Sequence, residues 1–245
     1  MKSALVVVPT YNERANLPVL ISGLLAYESV RALVVDDNSP DGTGAVADAL
    51  AREHPGRVAV VHRTSQRGFG RSYVEGLGRA IQEDVDVVCQ MDADLSHDPR
   101  HLPDLVAATA EADMTIGSRY IPGGAVVNWP VRRQALSRFA NAYIRTIARL
   151  HAHDCTSGYR CWRRDALAAL PLDRFFSDGY SFLVEMLFAA SRGGYRIAEV
   201  PITFVERREG ESKLSMRVIL ESALTPWRLI AAPGGRVELR SRGSR

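Results

Sequence analysis

The sequence predicts an α/β protein built on a mostly parallel sheet that is flanked by helices. Short apolar runs recur along its first half and are typical of buried strands, at residues 4–8, 32–35, 58–61, 85–91 and 114–117. Helical patterns lie between these runs. Strands that alternate with helices require parallel pairing through right-handed crossovers, so we expect a Rossmann-like half through residue 118.

The spacing of apolar residues predicts the helices of this half. Over residues 17–25, leucines and an isoleucine recur as on one side of an amphipathic helix. Pro18 is tolerable there because it falls in the first turn. Further helices are expected after Asp41, over residues 71–82 and from Pro99.

The pattern changes after Arg119. We expect a Gly/Pro-rich loop over residues 120–130 and a long arginine-bearing helix from there to about residue 150. A buried helix should follow over residues 182–190 and one more strand over 196–205. Gly193 and Gly194 are expected to cap the C-terminal end of the buried helix. Residues 216–230 carry an apolar stripe interrupted by Pro226, which predicts an amphipathic helix that is either packed or laid on a membrane surface.

Length and composition suit one α/β domain with elaborations, or at most two small domains, because 245 residues with 46% hydrophobic side chains are ordinary for a globular protein. The three cysteines are an odd number without CxxC spacing, which favours a reducing compartment. The first apolar run is too short for a signal peptide, and no segment approaches the ~18–20 apolar residues that span a bilayer. We therefore expect a cytosolic protein, or one held at the cytosolic side of a membrane.

The net charge is only +3, but it is unevenly distributed. Residues 117–153 contain no acidic side chain and six arginines, and the last ten residues carry four arginines against Glu238. Such regions favour anionic partners, either phosphates or an anionic membrane surface, although solvated helix faces and a frayed tail remain the alternative. No RNA- or DNA-binding motif is present, so we do not expect a nucleic-acid partner.

The apolar run at 85–91 ends in two carboxylates, Asp92 and Asp94. If the backbone stays extended there, residues i and i+2 point to the same side and the two side chains converge. Adjacent carboxylates repel one another, and a divalent cation such as Mg²⁺ or Mn²⁺, which prefers oxygen ligands, removes that conflict. The alternative is a solvated Asp pair in a turn.

Two other predicted strands also end in polar clusters, PTYNE at residues 9–13 and DDNSPDGT at 36–43. The carboxyl ends of parallel strands share one edge of the sheet, so all three clusters should meet in one crevice. Carboxylates there can accept hydrogen bonds from a base or from ribose hydroxyls, and Tyr11 can stack on a base.

Six motifs in order resemble the GT-A glycosyltransferases that use nucleotide-diphosphate sugars, and within them most closely the polyprenol-phosphate (dolichol-phosphate) mannose synthases. They are PTYNE at 9–13, DDNSPDGT at 36–43, MDADLSH at 91–97, GSRY at 117–120, DCTSGYR at 154–160 and VPITFVERREGESKL at 200–214. The resemblance covers most of residues 5–214. It implies a GT-A fold and inverting transfer of mannose from GDP-mannose to a polyprenyl phosphate, giving polyprenyl-phosphate β-mannose and GDP.

The resemblance also implies roles for individual residues. The guanosine of GDP-mannose should contact Pro9, Tyr11, Glu13, Val35 and Asp37. The metal and the diphosphate should be held by Asp92, the Ala93 backbone and Asp94, with Ser96 at a third metal-side position. The donor diphosphate should also be reached by Arg207 and Lys213, which complete the catalytic set with Asp92 and Asp94. The acceptor phosphate should be gripped by Arg119, Arg133 and Ser137.

The chemistry agrees with these roles. Departing GDP develops negative charge that a divalent ion and basic side chains stabilise. The planar fork of arginine binds phosphate oxygens in pairs. A phosphomonoester has its second pKa near ~6, so it is mostly dianionic at neutral pH and can attack the anomeric carbon without a protein base.

We expect residues 1–214 to form the catalytic domain, with a nucleotide-binding half at 1–118 and an acceptor half at 119–214, and 215–245 to form an amphipathic helix and a basic tail. Membrane association should then be peripheral or through a membrane-anchoring subunit. Two alternatives stay open: a polyprenyl-phosphate glycosyltransferase that uses UDP-glucose or another sugar nucleotide, and a non-catalytic nucleotide-binding subunit.

Overall fold

The fold was analysed in a computed structural model, which describes residues 1–64, 66–175, 177, 179–206 and 216–231. The side chains of Tyr180 and of residues 216–222 are not described. The predicted Arg207 and Lys213 therefore lie outside the described residues.

Within the described residues, the main sheet has seven strands in the order β3-β2-β1-β4-β7-β5-β8. The strands are β1 (Ala4–Thr10), β2 (Val30–Asp36), β3 (Val58–His62), β4 (Val87–Gln90), β5 (Met114–Ser118), β7 (Arg160–Arg163) and β8 (Ile197–Pro201). All five strands predicted for the first half are present. Pairing is parallel between β1 and β2, β1 and β4, β2 and β3, and β5 and β8. Valines and other apolar residues dominate β1, β2 and β4 because both faces of these strands are covered.

Strand β7, which the sequence pattern did not predict, lies antiparallel between β4 and β5. Its sequence, Arg-Cys-Trp-Arg, is short and has a charged residue at each end, so it shows neither an apolar run nor a clear alternation. Arg160 is nevertheless fully buried. Cys161 faces Cys89 of β4, with the two free thiol sulfurs 2.6 Å apart, a pairing that their spacing along the chain did not reveal.

The helices cover both faces of the sheet. They are α1 (Leu17–Leu25), α2 (Thr43–Glu53), α3 (Phe69–Ala80), α4 (Leu102–Ala108), α5 (Val131–Ala148), α6 (Arg164–Ala168), α7 (Gly179–Arg192) and α8 (Met216–Ala231). One core lies under α1 and α4 and the other under α3 and α7. The cap predicted for α7 is present: Gly194 adopts φ 71°, and the Tyr195 amide donates to the Ala190 carbonyl at 3.0 Å.

The single strand predicted for residues 196–205 is wrong, because the chain forms two strands there. After β8 ends at Pro201, Ile202 is buried and the chain continues as β9 (Thr203–Val205) in a separate two-stranded sheet. Its parallel partner is β6 (Ala125–Val127), which lies within the predicted loop 120–130. Pro201 lies opposite Ser118, the last residue of β5, and the Ile202 amide still donates to the Ser118 carbonyl at 3.0 Å, so the main-sheet pairing stops where β5 ends.

Candidate active site

Two cavities meet at Asp92 and Asp94, beside the carboxyl ends of β1, β2 and β4. The first, here called the strand-end cavity, has a volume of about 410 Å³ and is lined among others by Pro9, Tyr11, Glu13, Asp37, Arg67, Gly68, Asp92, Ala93 and Asp94. The second, the α5 cavity, has a volume of about 440 Å³ and is lined among others by Asp92, Asp94, Ser96, Arg119, Trp129, Arg133, Leu136, Ser137 and Phe139. The structure thus brings most of the residues that the resemblance singled out to two adjoining cavities.

The Asp pair lies in a loop, because β4 ends at Gln90 and the extended backbone expected through Asp94 is absent. Leu95 adopts φ 62°, a left-handed conformation that is uncommon outside glycine and asparagine. This turn brings Ser96 back onto Asp94, whose Oδ1 accepts from the Ser96 amide at 3.1 Å and from its hydroxyl at 2.5 Å. The two carboxylates converge on both cavities through a tight turn instead of a strand.

Asp92 is held by Tyr73 through its carboxylate and by His97 through its backbone amide. The Tyr73 hydroxyl of α3 donates to Asp92 Oδ1 at 3.2 Å. Burial, and then the charge of Asp92, raise the pKa of Tyr73, so its hydroxyl stays protonated. The Asp92 amide donates to Nδ1 of the buried His97 at 3.2 Å. Burial lowers the pKa of His97, although Asp92 and Asp94 act in the opposite direction, and this imidazole is a neutral acceptor rather than a cation at neutral pH.

The oxygen atoms of Asp92, Asp94 and Ser96 suit Mg²⁺ or Mn²⁺. Among the described residues, no group of three or more His, Cys, Asp or Glu side chains could hold a metal ion. Mg²⁺ is usually bound by one or two carboxylates together with substrate phosphates, so a pair open to two cavities fits such an ion. Ser96 has its hydroxyl on Asp94 Oδ1 and therefore supports that carboxylate.

Asp37 is fixed by groups that the sequence analysis did not connect with it. Its Oδ1 pairs with Nη1 of the buried Arg63, and its Oδ2 accepts from the Gly68 amide at 2.9 Å. Arg63 also contacts Ser72 Oγ at 3.1 Å and Glu75 Oε2 at 3.1 Å, both on α3. Arg63 lies 26 residues after Asp37 in the sequence, so no local sequence pattern indicates that the two side chains pair, and only the fold reveals this network.

Three further residues were expected to contact the guanosine, namely Tyr11, Glu13 and Val35, and the structure gives each a different set of neighbours. Tyr11 lines the cavity, with the Arg67 guanidinium 4.9 Å from its ring centroid and a hydrogen bond from Arg67 to its hydroxyl. Glu13 accepts from Asn16 Nδ2 at 2.8 Å. Val35 is fully buried beneath α3, where it packs against Gly76.

In the α5 cavity, Arg119 is held by the fully buried carboxylate of Asp154. Asp154 Oδ2 accepts from Arg119 Nε and Oδ1 accepts from Arg119 Nη2, both at 2.7 Å, and the Arg119 amide donates to Oδ2 at 3.1 Å. Burial raises the pKa of Asp154, but the charge and hydrogen bonds of Arg119 outweigh it and bring the pKa below its ordinary value. The pair therefore sets the direction of a guanidinium that lines the cavity.

Arg133 and Ser137 lie on α5, on the same cavity. Arg133 Nη1 contacts Glu206 Oε1 at 2.6 Å, and its guanidinium lies 4.1 Å from the ring centroid of Trp129. The Ser137 hydroxyl accepts from the Tyr120 hydroxyl at 2.7 Å. Arginines, hydroxyls and aromatic rings thus line one partly enclosed cavity. The arginines and hydroxyls suit the oxygens of a phosphate, and the rings suit an apolar group attached to it.

A family model, described as glycosyl transferase family 2, matches residues 5–170. The chain belongs to glycosyltransferase family 2. The match spans β1 to α6 and includes the carboxylates that line both cavities, while residues 171–245 lie beyond it.

This glycosyltransferase is similar to two curated relatives. It is 48% identical over 220 residues to a polyprenol monophosphomannose synthase from Mycolicibacterium smegmatis, covering 89% of this chain and 83% of the relative. It is 46% identical over 230 residues to an undecaprenyl-phosphate mannosyltransferase from Micrococcus luteus, covering 93% and 94%. These relatives confirm the resemblance to polyprenol-phosphate mannose synthases that the six motifs predicted.

The GT-A architecture is also confirmed. The fold matches that of a mannosyltransferase from Pyrobaculum calidifontis, solved in complex with GDP-Man and Mn²⁺, with a TM-score of 0.56 over 96% of this chain and 76% of that one. The two sequences are only 19% identical, so this likeness concerns the fold.

The glycosyltransferase exposes apolar side chains on α5 and α8, of which Leu136 and Phe139 line the α5 cavity. This α5–α8 apolar face consists of Val131, Leu136, Phe139, Leu224, Trp227 and Ile230. The two helices are joined at Tyr143, whose hydroxyl donates to the Ala223 carbonyl at 2.9 Å and accepts from Trp227 Nε1 at 2.7 Å. Within the ranges that the structure describes, no helix is long and apolar enough to cross a membrane.

Proposed function

We propose that this glycosyltransferase transfers mannose from GDP-mannose to the phosphate of a polyprenyl phosphate, with inversion at the anomeric carbon. The observation that carries the proposal is the meeting of two cavities at Asp92 and Asp94. One is lined by an aromatic ring and carboxylates, which suit a base and a ribose, and the other by cations with an apolar flank. The names of the two relatives at 46–48% identity support the mannosyl group and the polyprenyl acceptor.

The donor lies with its guanosine in the strand-end cavity and its diphosphate toward the Asp pair. Tyr11 offers a ring to the base, and Glu13 and Asp37 offer acceptors for base N–H groups and ribose hydroxyls. Asp92 and Asp94, supported by Ser96, would hold Mg²⁺ or Mn²⁺, which supplies positive charge to the departing diphosphate. We assign Arg207 and Lys213 to the same diphosphate, on the resemblance alone.

The acceptor phosphate lies in the α5 cavity, where Arg119 and Arg133 orient its oxygens and Ser137 offers a hydroxyl. One oxygen of the dianionic phosphate attacks the anomeric carbon from the side opposite the diphosphate. The bond from that carbon to the diphosphate breaks, and GDP leaves with the electron pair. No proton has to be removed from the nucleophile, so the neutral, buried His97 needs no role as a base.

The membrane supplies the acceptor. We propose peripheral association on the cytoplasmic face through the α5–α8 apolar face, with the isoprenoid chain leaving the α5 cavity past Leu136 and Phe139. A membrane-anchoring subunit is the alternative means of attachment. In this division, residues 1–118 form the nucleotide-binding half and 119–214 the acceptor half, which also contributes Arg207 and Lys213 to the donor site. Residues 215–245 contact the membrane together with α5. Strands β7 and β8 of the acceptor half complete the same sheet as the nucleotide-binding half.

The test is a transfer assay with one short polyprenyl phosphate in detergent and GDP-mannose, UDP-glucose or UDP-GlcNAc, each with Mn²⁺. We expect product with GDP-mannose. Product only with a UDP-sugar would replace the donor, and no turnover with any of the three would favour the non-catalytic alternative.

Variants test the division into donor and acceptor sites. Asp94→Asn should lower turnover at least ~100-fold and abolish metal-dependent GDP binding. Arg133→Ala should leave GDP-mannose binding unchanged and raise the KM for the lipid by ~10-fold or more, because a charge-assisted hydrogen bond contributes about 1.5–3 kcal/mol. The neighbouring exposed Arg132 provides the control, and Arg132→Ala should leave that KM unchanged. Equal loss of donor binding in Asp94→Asn and Arg133→Ala would refute the division.

A further inference from the structure

Tyr73 is a fully buried tyrosine on α3 whose hydroxyl ends at the Asp92 carboxylate. Its ring lies between two phenylalanines. The ring of Phe182 is nearly parallel to it, at an interplanar angle of 9° and a centroid distance of 6.1 Å, and Phe69 meets it edge-on at 4.9 Å. A ring packed in this way has little freedom to turn, so the direction of its hydroxyl is set by the core.

Asp92 has two further close neighbours, His97 and Gly158. Its amide is engaged by His97 Nδ1, and Gly158 lies so close that an added Cβ would be 3.2 Å from Oδ2 and 3.3 Å from Oδ1. A side chain at position 158 would therefore press on the carboxylate, which glycine leaves in place, and the Tyr73 hydroxyl holds Oδ1 from α3. Hydrogen bonds of this kind orient metal ligands, and their loss commonly weakens metal binding.

The helix that carries Tyr73 also holds the far end of the strand-end cavity. At its start, the Gly68 amide donates to Asp37 Oδ2, and Ser72 Oγ accepts from Arg63, the cation paired with Asp37. Ser72 and Tyr73 are consecutive residues, and one serves the Asp37 end of the cavity while the other serves the Asp92 end. A single rigid helix thereby sets the spacing between the two.

We propose that Tyr73 is a positioning residue whose hydroxyl orients the Asp92 carboxylate for the divalent cation. Because Tyr73 lies on α3, this hydrogen bond also fixes the position of Asp92 relative to Asp37 at the other end of the donor site. The inference rests on the proposed function, because it assumes that Asp92 holds a cation beside the donor diphosphate. Tyr73 touches neither substrate in this scheme and acts through Asp92.

The experiment compares Tyr73→Phe, which removes one hydroxyl and keeps the ring, with the wild-type chain. Mn²⁺ binding in the presence of GDP is measured from the electron paramagnetic resonance signal of free Mn²⁺, and GDP binding is measured separately in EDTA. Tyr73→Phe should weaken Mn²⁺ binding by about 10-fold, the lower end of effects seen for such partners, and should leave GDP binding in EDTA unchanged. Excess Mn²⁺ should restore most of the lost kcat/KM.

The control is Tyr195→Phe, which removes a buried hydroxyl whose acceptor, the Ala166 carbonyl at 2.9 Å, lies away from both cavities. It should leave Mn²⁺ binding unchanged. Wild-type Mn²⁺ affinity in Tyr73→Phe would overturn the inference. So would loss of GDP binding in EDTA or failure to fold, since either assigns Tyr73 a structural role. A wild-type affinity for GDP that Mn²⁺ does not raise above its value in EDTA would instead overturn the proposed function.

Discussion

Replacing Asp154 with asparagine should destabilise the fold and weaken acceptor binding together. Asp154 has no solvent exposure and accepts hydrogen bonds from the amide, Nε and Nη2 of Arg119. Asparagine keeps the shape of the side chain but loses the charge and turns an N–H₂ group toward a guanidinium that can only donate. Arg119, which lines the α5 cavity, is then left as a buried cation without its counter-ion.

The size of the effect follows from the burial of this pair. Removing one partner of a buried ion pair costs about 3–5 kcal/mol, whereas exposed pairs contribute about 0–1 kcal/mol. Since ~1.4 kcal/mol is a tenfold change in an equilibrium, the lower figure already shifts the folding equilibrium by about 100-fold.

A double-mutant cycle in urea measures this pair directly, with Asp154→Asn and Arg119→Met alone and combined. The chain offers a matched control in Arg163 and Asp165, whose Nη2 and Oδ2 are also 2.7 Å apart but whose side chains are 37% and 63% exposed. We expect a coupling free energy of several kcal/mol for the buried pair and below about 1 kcal/mol for the exposed pair. Coupling no larger than that of the control would refute the reasoning.

The same pair predicts a dependence on pH. A carboxyl whose pKa is lowered in the folded state stabilises the protein above its ordinary pKa of 3.8, and that contribution is lost as the pH falls through the folded value. The difference in the free energy of unfolding between wild type and Asp154→Asn should therefore be constant near neutral pH and shrink in acid. A difference that grew in acid would contradict the assigned direction.

Two further predictions concern the fold and the membrane. Gly76→Ala should lower the free energy of unfolding, measured in urea, by about 1–3 kcal/mol, because the added Cβ would lie 2.5 Å from Val7 Cγ1. Gly78→Ala on the same helix is the control: its Cβ would meet no atom within 4 Å, so it should not destabilise the protein. Equal destabilisation by both variants would contradict this prediction. Phe139→Asp should reduce sedimentation with vesicles that contain polyprenyl phosphate, because Phe139 is 68% exposed beside the α5 cavity. Val19→Asp, at a residue 57% exposed on α1, is its control, and equal losses would argue against the α5–α8 apolar face.

The parallel strands and the first helices could be predicted because their signals are local. Residues 4–8 and 32–35 are apolar without interruption since both faces of β1 and β2 are covered, and the α1 leucines repeat at the helical period since one side of α1 is buried. The polar clusters after β1, β2 and β4 were expected at one edge for the same reason, because parallel strands share that edge.

The antiparallel β7 and the division of residues 196–205 could not be predicted. Arg160 is fully buried because three backbone carbonyls, those of Ser157, Leu183 and Cys155, accept from its guanidinium at 2.6–3.0 Å. Arginine is usually exposed, so the sequence predicts a surface position for Arg160 and gives no sign of the carbonyls that bind it. The partners of β8 and β9 likewise come from far along the chain, at β5 and β6.

The sequence by itself determined the chemistry at the centre of the site: two carboxylates after a buried strand, acceptor-rich ends on the neighbouring strands and an arginine-rich second half. Only the tertiary structure decided which of these groups are free to meet a ligand and which are held by the protein. Asp37 forms an ion pair with Arg63, Arg119 forms an ion pair with Asp154, and the Asp92 carboxylate accepts a hydrogen bond from Tyr73. Charge and hydrogen-bond partners act across space, while sequence patterns report only the local periodicity of burial, so these pairings become visible only when the chain has folded.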